Sequence, residues 1–328
     1  MPDRPPSLVV LLPVFNDWQA ASLLIPRVVK QLEREGPIGV LVVDDGSTET
    51  CSLTIDAPTN QVAWARVLRL RRNLGHQRAI AVGLSYIDEH IPCDAAIIMD
   101  ADGEDRPEDL LLLVERYHRE THSPIVFAER SRRLESLTFR AFYALYRLLH
   151  LTLTGRGVSV GNFSVLPRER LASLVVVSEL WIHYAAAAVR SRQPIVTVPA
   201  PRGRRLVSTS RMSFTALVVH GLSAISVYSD VVFTRLIVAS TALVLLALSG
   251  MGIVLGIRFF TTLAIPGWTS FVLAVLLVVL LQAITFVVSL TFMVLGSRRH
   301  AEVIPRRDYA HFVAGVRDIS PPSSAGCR

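Results

Sequence analysis

The residues best suited to chemistry stand in Met99-Asp100-Ala101-Asp102-Gly103-Glu104-Asp105, directly after the apolar run Ala95–Ile98. An apolar run that ends in carboxylates puts acids at the carboxyl end of a strand, the edge where open α/β sheets bind ligands. Asp100 and Asp102, two apart, can both reach one hard divalent cation if the strand ends in a turn, with substrate phosphates completing its oxygen shell. A cation bridging a diphosphate would neutralise it as it departs. Acidic loops also occur on solvated surfaces, so this triplet alone does not fix a metal site. A second acidic pair lies in Val42-Val43-Asp44-Asp45-Gly46-Ser47. There a carboxylate can hydrogen-bond a ribose hydroxyl or a base edge, although Asp-Gly-Ser serves equally well as a turn or helix cap.

Such residues need a sheet to hold them. From Leu8 to Pro199 short β-rich runs alternate with amphipathic segments, which predicts an α/β domain with crossover helices in doubly wound order. Expected strands are Leu8–Leu12, Val40–Val43, Val67–Leu70, Ala95–Met99 and Ile125–Ala128; expected helices are Ala20–Glu35, His76–Glu89 and Pro107–Arg119. The last opens with Pro and acidic residues, a helix-start signature.

The apolar excess gathers later in the chain. Leu236–Ile257 and Trp268–Leu295 contain no charged residue, and each is long enough to span a bilayer. One cation, Arg258, lies between them, whereas Arg235 precedes the first and Arg298, Arg299, Arg306 and Arg307 follow the second. By the positive-inside rule this hairpin starts and ends in the cytoplasm. Ser136–His150 interleaves Leu and aromatic residues with Arg140 and Arg147, as an interfacial helix would. Phe214–Arg235 carries a helical apolar stripe that suits either an interface or a core.

The formal charge of +7, carried mostly by Arg and dense at 202–211, suits phosphates and anionic lipid. No nucleic-acid fold signature accompanies it, so nucleic acid is not an expected partner. Cys51, Cys93 and Cys327 fit neither a disulfide framework nor a metal knuckle. The first apolar run is short and interrupted by Pro13, unlike a signal sequence. No P-loop or G-x-G-x-x-G follows the first strand, which argues against an NTPase or a dinucleotide dehydrogenase. His76, His183 and His220 lack a nucleophile motif and read as surface or structural residues.

Pro13-Val14-Phe15-Asn16-Asp17, Val43-Asp44-Asp45-Gly46-Ser47, Arg72-Asn73-Leu74-Gly75 and Asp100-Ala101-Asp102, in this order, resemble the family-2 glycosyltransferases of GT-A fold. Within them the chain is similar to the dolichyl- and undecaprenyl-phosphate sugar transferases, over about residues 7–212. The resemblance implies a GT-A type, Rossmann-like nucleotide-sugar-binding domain. It implies Pro13, Phe15 and Asp17 near the nucleotide, Asp44 or Asp45 at its base or ribose, and Asp100, Ala101 and Asp102 at diphosphate and metal. Glu104 replaces the family's usual Gln and would still offer an oxygen ligand. Arg130 matches an arginine near the acceptor phosphate. Arg205-Leu206-Val207-Ser208-Thr209-Ser210-Arg211 is similar to the family's R-x-x-G-x-S-K segment, which implies Arg205, Ser210 and Arg211 on that phosphate.

One departure stands out. Ser159-Val160-Gly161-Asn162-Phe163 occupies the place where relatives read D-x-G-D-F. A phosphate acceptor is largely dianionic at neutral pH and needs little help from a base, so Asn162 would orient its oxygen. The expectation is inverting, metal-dependent transfer of a sugar from a UDP- or GDP-linked donor to a polyprenyl phosphate, with Asp102, Asn162 and Arg205 catalytic and Asp100, Asp102 and Glu104 holding Mg2+ or Mn2+. A non-catalytic or divergent nucleotide-sugar or lipid-phosphate binder of the same fold is the alternative. The expected organisation is a cytoplasmic domain over 1–212 with an interfacial helix at 136–150, a juxtamembrane helix at 213–235, spans at 236–257 and 268–295, and a cytoplasmic tail at 298–328. This is an integral membrane protein of the inner membrane if bacterial, and a homo-oligomer is compatible with it.

Overall fold

The computed structural model describes residues 7–53, 61–130, 137–155, 160–207, 214–297 and 302–320. The chain forms two compact units, one of Met1–Arg147, Gly157–Val227 and Val303–Arg328, the other of Leu148–Arg156 and Tyr228–Glu302.

The first unit is built on strands β1 (Leu8–Val14), β2 (Ile38–Asp44), β3 (Val62–Leu70), β4 (Ala95–Ile98), β5 (Ile125–Arg130), β6 (Val160–Pro167), β7 (Ile195–Ala200) and β8 (Val313–Asp318). They form one sheet in the order β7-β5-β6-β4-β1-β2-β3-β8. The run β3-β2-β1-β4 is parallel, as the alternating pattern predicts. The remainder is mixed, because β6 runs antiparallel to β4 and β5, and β8 antiparallel to β3. Each expected strand falls inside an observed one, apart from Met99, which lies just past β4.

Every residue of β1 and of β2 is buried, as in a sheet covered on both faces. Leu8, Val10, Leu12 and Val14 point into a core shared with Leu24 and Val28 of helix α1 (Trp18–Gln31) and Leu113 of α3 (Leu110–Arg119). Val9 and Leu11 face the opposite core with Ile80 and Leu84 of α2 (His76–His90). Gly83 lets α2 press onto the sheet, since a Cβ there would lie 2.5 Å from Leu11 Cδ1. The expected helix over 20–35 ends at Gln31, followed by a 3-10 turn at Glu33–Glu35.

Helix α4 (Leu137–Thr154) covers the segment expected to be interfacial; α5 (Arg168–Leu174), α6 (Tyr184–Arg190) and α7 (Phe214–Ser226) follow. On α4, Leu148, Leu149 and Leu151 are exposed. The expected helix over 213–235 breaks after Ser226, and its second half joins α8 (Ser229–Phe260).

In the second unit α8 packs against α9 (Trp268–Ser297). Ser240, Ala247 and Val254 of α8, and Ala283 and Leu290 of α9, are the buried seam, recurring at heptad spacing as in left-handed helix pairs. A Cβ on Gly250 would contact Leu276 at 3.4 Å, so the helices approach closely there. Elsewhere large apolar side chains such as Leu246, Phe260, Phe271 and Phe292 are bare. Thr241, Thr285 and Ser289 return their hydroxyls to the carbonyls of Ile237, Leu281 and Thr285, so these three polar groups are satisfied within the helices. Both helices are long and apolar enough to cross a membrane.

Beyond residue 302 the chain rejoins the first unit. Short helix α10 (Pro305–Asp308) sits on α2, with Arg306 Nε donating to Asp88 Oδ2 at 2.8 Å and Tyr309 OH to Glu89 Oε2 at 2.7 Å. β8 then pairs Val316 with Leu68 of β3 and completes the sheet.

Candidate active site

The strand order reverses at β1, which is flanked by β2 on one side and β4 on the other. This switch point opens a crevice at the carboxyl ends of β1 and β4. Asp17 follows β1 and Asp100 follows β4, so the topology alone brings the two sequence motifs to one place.

The acidic loop after β4 is tightly self-bonded. Asp100 N–H donates to Asp105 Oδ2 at 2.9 Å, and Glu104 N–H to Asp102 Oδ1 at 2.8 Å. Ala101 is buried. Gly103 turns the loop at φ 85°, and a Cβ there would lie 2.5 Å from Leu206 Cγ. Leu206 belongs to a strap that follows β7 and lies along the loop, with Gly203 N–H on Glu104 O at 2.8 Å and Leu206 N–H on Asp102 O at 3.0 Å.

That strap brings two guanidinium groups onto the carboxylates. Arg205 Nη2 lies 2.9 Å from Asp102 Oδ2 and its Nε 3.5 Å from Glu104 Oε1, while Arg202 pairs with Glu104 Oε2. Burial pulls the Arg202 guanidinium below its ordinary range, against the opposing pull of Asp102 and Asp100. The hard oxygens of the acids are the donor set of Mg2+ or Mn2+, and in this structure Asp102 and Glu104 already hold guanidinium groups. Asp100 and Asp102 fit such an ion provided that Arg205 yields Asp102. Among the described residues no three His, Cys, Asp or Glu are already grouped to hold one.

The acids after β2 do different work. Asp44 Oδ1 accepts Ser47 N–H at 2.8 Å, and its other oxygen lies 4.0 Å from Arg69 Nε. Asp45 is buried, and its two oxygens accept Leu74 N–H at 2.7 Å and Gly75 N–H at 2.9 Å. Burial pushes its carboxyl above the ordinary range, although those two amides pull the other way. Gly46, at φ 68°, lets this turn lie on residues 72 and 73, where a Cβ would meet the Arg72 carbonyl carbon at 2.5 Å. Across the crevice Pro13 is buried in β1, past its last pair with β4, and Phe15 is exposed at the rim. Asn16, at φ 52°, accepts Thr48 N–H and Glu49 N–H on one oxygen. Asp17 precedes α1.

Asn162 reaches the site through register. Ile98 of β4 pairs with Ser164 of β6, so the antiparallel run carries residue 162 beside residue 100. There His76, the first residue of α2, stands between them, with Nε2 at 3.1 Å from Asp100 Oδ1 and 3.0 Å from Asn162 Nδ2. Gln77 donates to Asn162 Oδ1 at 3.2 Å and accepts Tyr184 N–H at 2.8 Å. Burial would lower the His76 pKa, but Asp100, with Asp105 and Asp102, outweighs it and holds the imidazole above its ordinary range.

Asp100, Asp102, Glu104, Arg205 and Asn162 thus share one neighbourhood. Arg130 closes β5, its backbone paired with Ala200 at the start of the strap; its side chain, Ser159, Ser210 and Arg211 lie outside the described residues. Sequence reading set His76 aside as a surface or structural residue and did not single out Arg202. The signal for His76 was its position directly after Asn73-Leu74-Gly75; Arg202 was visible only as part of the basic run at 202–211.

Residues 9–166 match the model of glycosyl transferase family 2. An uncharacterized glycosyltransferase, YkcC, of Bacillus subtilis is 25% identical over 277 residues, 82% of each chain. An undecaprenyl-phosphate 4-deoxy-4-formamido-L-arabinose transferase of Enterobacter is 25% identical over 215 residues, 64% of this chain and 63% of its own, so this chain spans less than two thirds of that relative. A solved mannosyltransferase, PcManGT from Pyrobaculum calidifontis in complex with GDP-Man and Mn2+, aligns over 86% of this chain and 88% of its own, at 16% identity and a TM-score of 0.42. Over residues 9–166 the chain matches glycosyl transferase family 2, and it is a glycosyltransferase.

Proposed function

We propose that the protein transfers a sugar, with inversion, from a UDP- or GDP-linked donor to a polyprenyl phosphate at the cytoplasmic face of a membrane. The observation that carries this reading is the pairing of Asp102 and Glu104 with Arg205 and Arg202 at the switch point of the sheet. Interleaved acids and guanidinium groups suit a reaction between phosphates: the acids hold a cation, and the arginines, once released, hold phosphate oxygens. The acceptor follows the name of the Enterobacter relative.

In the reaction an acceptor phosphate oxygen forms a bond to the anomeric carbon as the bond from that carbon to the donor diphosphate breaks. The nucleoside diphosphate leaves with the electron pair, and a dianionic acceptor has no proton to surrender. A divalent cation held by Asp100 and Asp102, with Glu104 beside them, would supply charge neutralisation to the diphosphate. Arg205 would turn from Asp102 to phosphate, joined by Arg130, Ser210 and Arg211. Asn162 would orient the incoming oxygen. Pro13, Phe15, Asp17 and Asp44 would border the nucleotide, while Asp45 keeps the 74–75 turn in place.

Connectivity and charge support this choice of membrane face. The chain leaves the first unit before α8 and rejoins it after α9, so two crossings return it to the side it left. The Arg-rich flanks favour the cytoplasm for that side. Asn162 and the arginine-bound carboxylates favour one rival, a protein that binds these ligands without turnover. The full chain, purified in detergent, is incubated with radiolabelled UDP- and GDP-sugars and undecaprenyl phosphate, with and without chelator. A chelator-sensitive lipid-linked sugar is the expected product; nucleotide-sugar binding without any lipid product would install the rival.

A further inference from the structure

We infer that Asn16 is a positioning residue for the donor nucleotide, its side chain clasping the loop after β2 to the loop after β1. These are the loops whose flanks carry Phe15, Asp17 and Asp44, so the inference rests on the nucleotide reading proposed above. Both loops leave the carboxyl ends of neighbouring parallel strands, and the ladder between those strands runs on to a bond from Asp45 N–H to Val14 O at 2.8 Å. Past it the side chain of Asn16 takes over. Its Oδ1 accepts Thr48 N–H at 2.9 Å and Glu49 N–H at 3.1 Å, and its Nδ2 donates to Thr48 Oγ1 at 2.9 Å. The opposite loop answers in kind, because Ser47 Oγ accepts Asn16 N–H at 3.1 Å.

Asp44 Oδ1 accepts the amide of Ser47 at 2.8 Å, so three consecutive amides, those of Ser47, Thr48 and Glu49, end on only two side chains. A carbonyl oxygen has two lone pairs. The two amides occupy both on Asn16, whose oxygen therefore orders the loops rather than meeting a ligand. The backbone of residue 16 is unusual as well. Its φ of 52° lies in the left-handed region, which asparagine tolerates better than most residues with a Cβ. Exposed Phe15 and Asp17, the residue before α1, flank this fixed point on either side. Loops held in place before the nucleotide arrives lose less conformational freedom when it binds, and affinity gains accordingly.

Radiolabelled UDP and GDP are equilibrated by dialysis with the detergent-solubilised full chain in Mn2+ buffer. Amide hydrogen exchange over residues 44–50 is followed by mass spectrometry without nucleotide, and thermal unfolding is recorded alongside. Asn16→Gly keeps the left-handed backbone accessible and removes the clasp. It is expected to bind whichever nucleotide the wild type prefers about tenfold more weakly, the equivalent of one or two hydrogen bonds, and to exchange the Thr48 and Glu49 amides faster. Its unfolding temperature should stay unchanged, since the clasp bonds to Thr48 and Glu49 are exposed. Asn16→Asp keeps an acceptor oxygen for both amides and should exchange like the wild type. Undiminished nucleotide affinity in Asn16→Gly, or exchange in Asn16→Asp as fast as in Asn16→Gly, overturns the role of Asn16 and leaves the nucleotide reading standing. A wild-type chain that binds neither UDP nor GDP removes both.

Discussion

Arg205 Nη2 lies 2.9 Å from Asp102 Oδ2, a charge-assisted contact between two half-buried side chains from segments far apart in sequence. A guanidinium thereby occupies a carboxylate that the proposed chemistry assigns to a metal ion, so the two cations compete. Arg205→Ala should lower stability by about 1–3 kcal/mol, because Asp102 loses a charged donor. Mn2+ should then restore more to this variant than it adds to the wild type. Thermal unfolding with and without Mn2+ checks both statements; an equal Mn2+ shift in the two proteins would contradict the competition.

Asp102→Asn keeps the shape of the side chain and its acceptor for Glu104 N–H but removes the charge. Lipid-linked product should form about 10²–10³-fold more slowly, the range seen when one preorganised electrostatic group is lost. The rate of transfer in Mn2+ buffer, compared with nucleotide-sugar binding, separates lost chemistry from lost affinity.

Asp45→Asn probes the turn that delivers His76. Asparagine offers one acceptor oxygen where the native carboxylate meets two amides, so one buried N–H faces an NH2. A loss of about 1–3 kcal/mol is expected, measured as a lower unfolding temperature. An unchanged temperature would mean that the turn is held by something else.

Gly103→Ala strains the acidic loop twice over. Its φ of 85° disfavours a Cβ, and that Cβ would sit 2.5 Å from Leu206 Cγ. The backbone alone costs about 1–2 kcal/mol, and the strap must shift away from the carboxylates. Faster proteolysis within residues 200–207, seen by mass spectrometry of the digest, is the expected signature.

Much of this arrangement is legible in the sequence where the signal is local. An apolar run that ends in acids marks Asp100 and Asp102 at a strand tip, and the parallel core β3-β2-β1-β4 follows from buried runs separated by amphipathic helices. β6, Val-Gly-Asn-Phe-Ser-Val-Leu-Pro, hides its strand behind polar residues and glycine. β8, Val-Ala-Gly-Val-Arg-Asp, looks like tail because it is almost wholly exposed. Nothing local tells Asp44 from Asp45; only the folded turn gives the second both amides of Leu74 and Gly75. The meeting of Arg205 with Asp102, and of His76 with Asn162, depends on register between distant strands and leaves no trace in spacing.

Of the two edge strands, β8 is also the last strand of the sheet to be synthesised. β8 joins β3 only after α8 and α9, which precede it in the chain, have emerged from the ribosome. Until that moment β3 presents an unpaired edge, the kind that recruits foreign strands. Translation order therefore leaves the sheet unfinished until both apolar helices have been made.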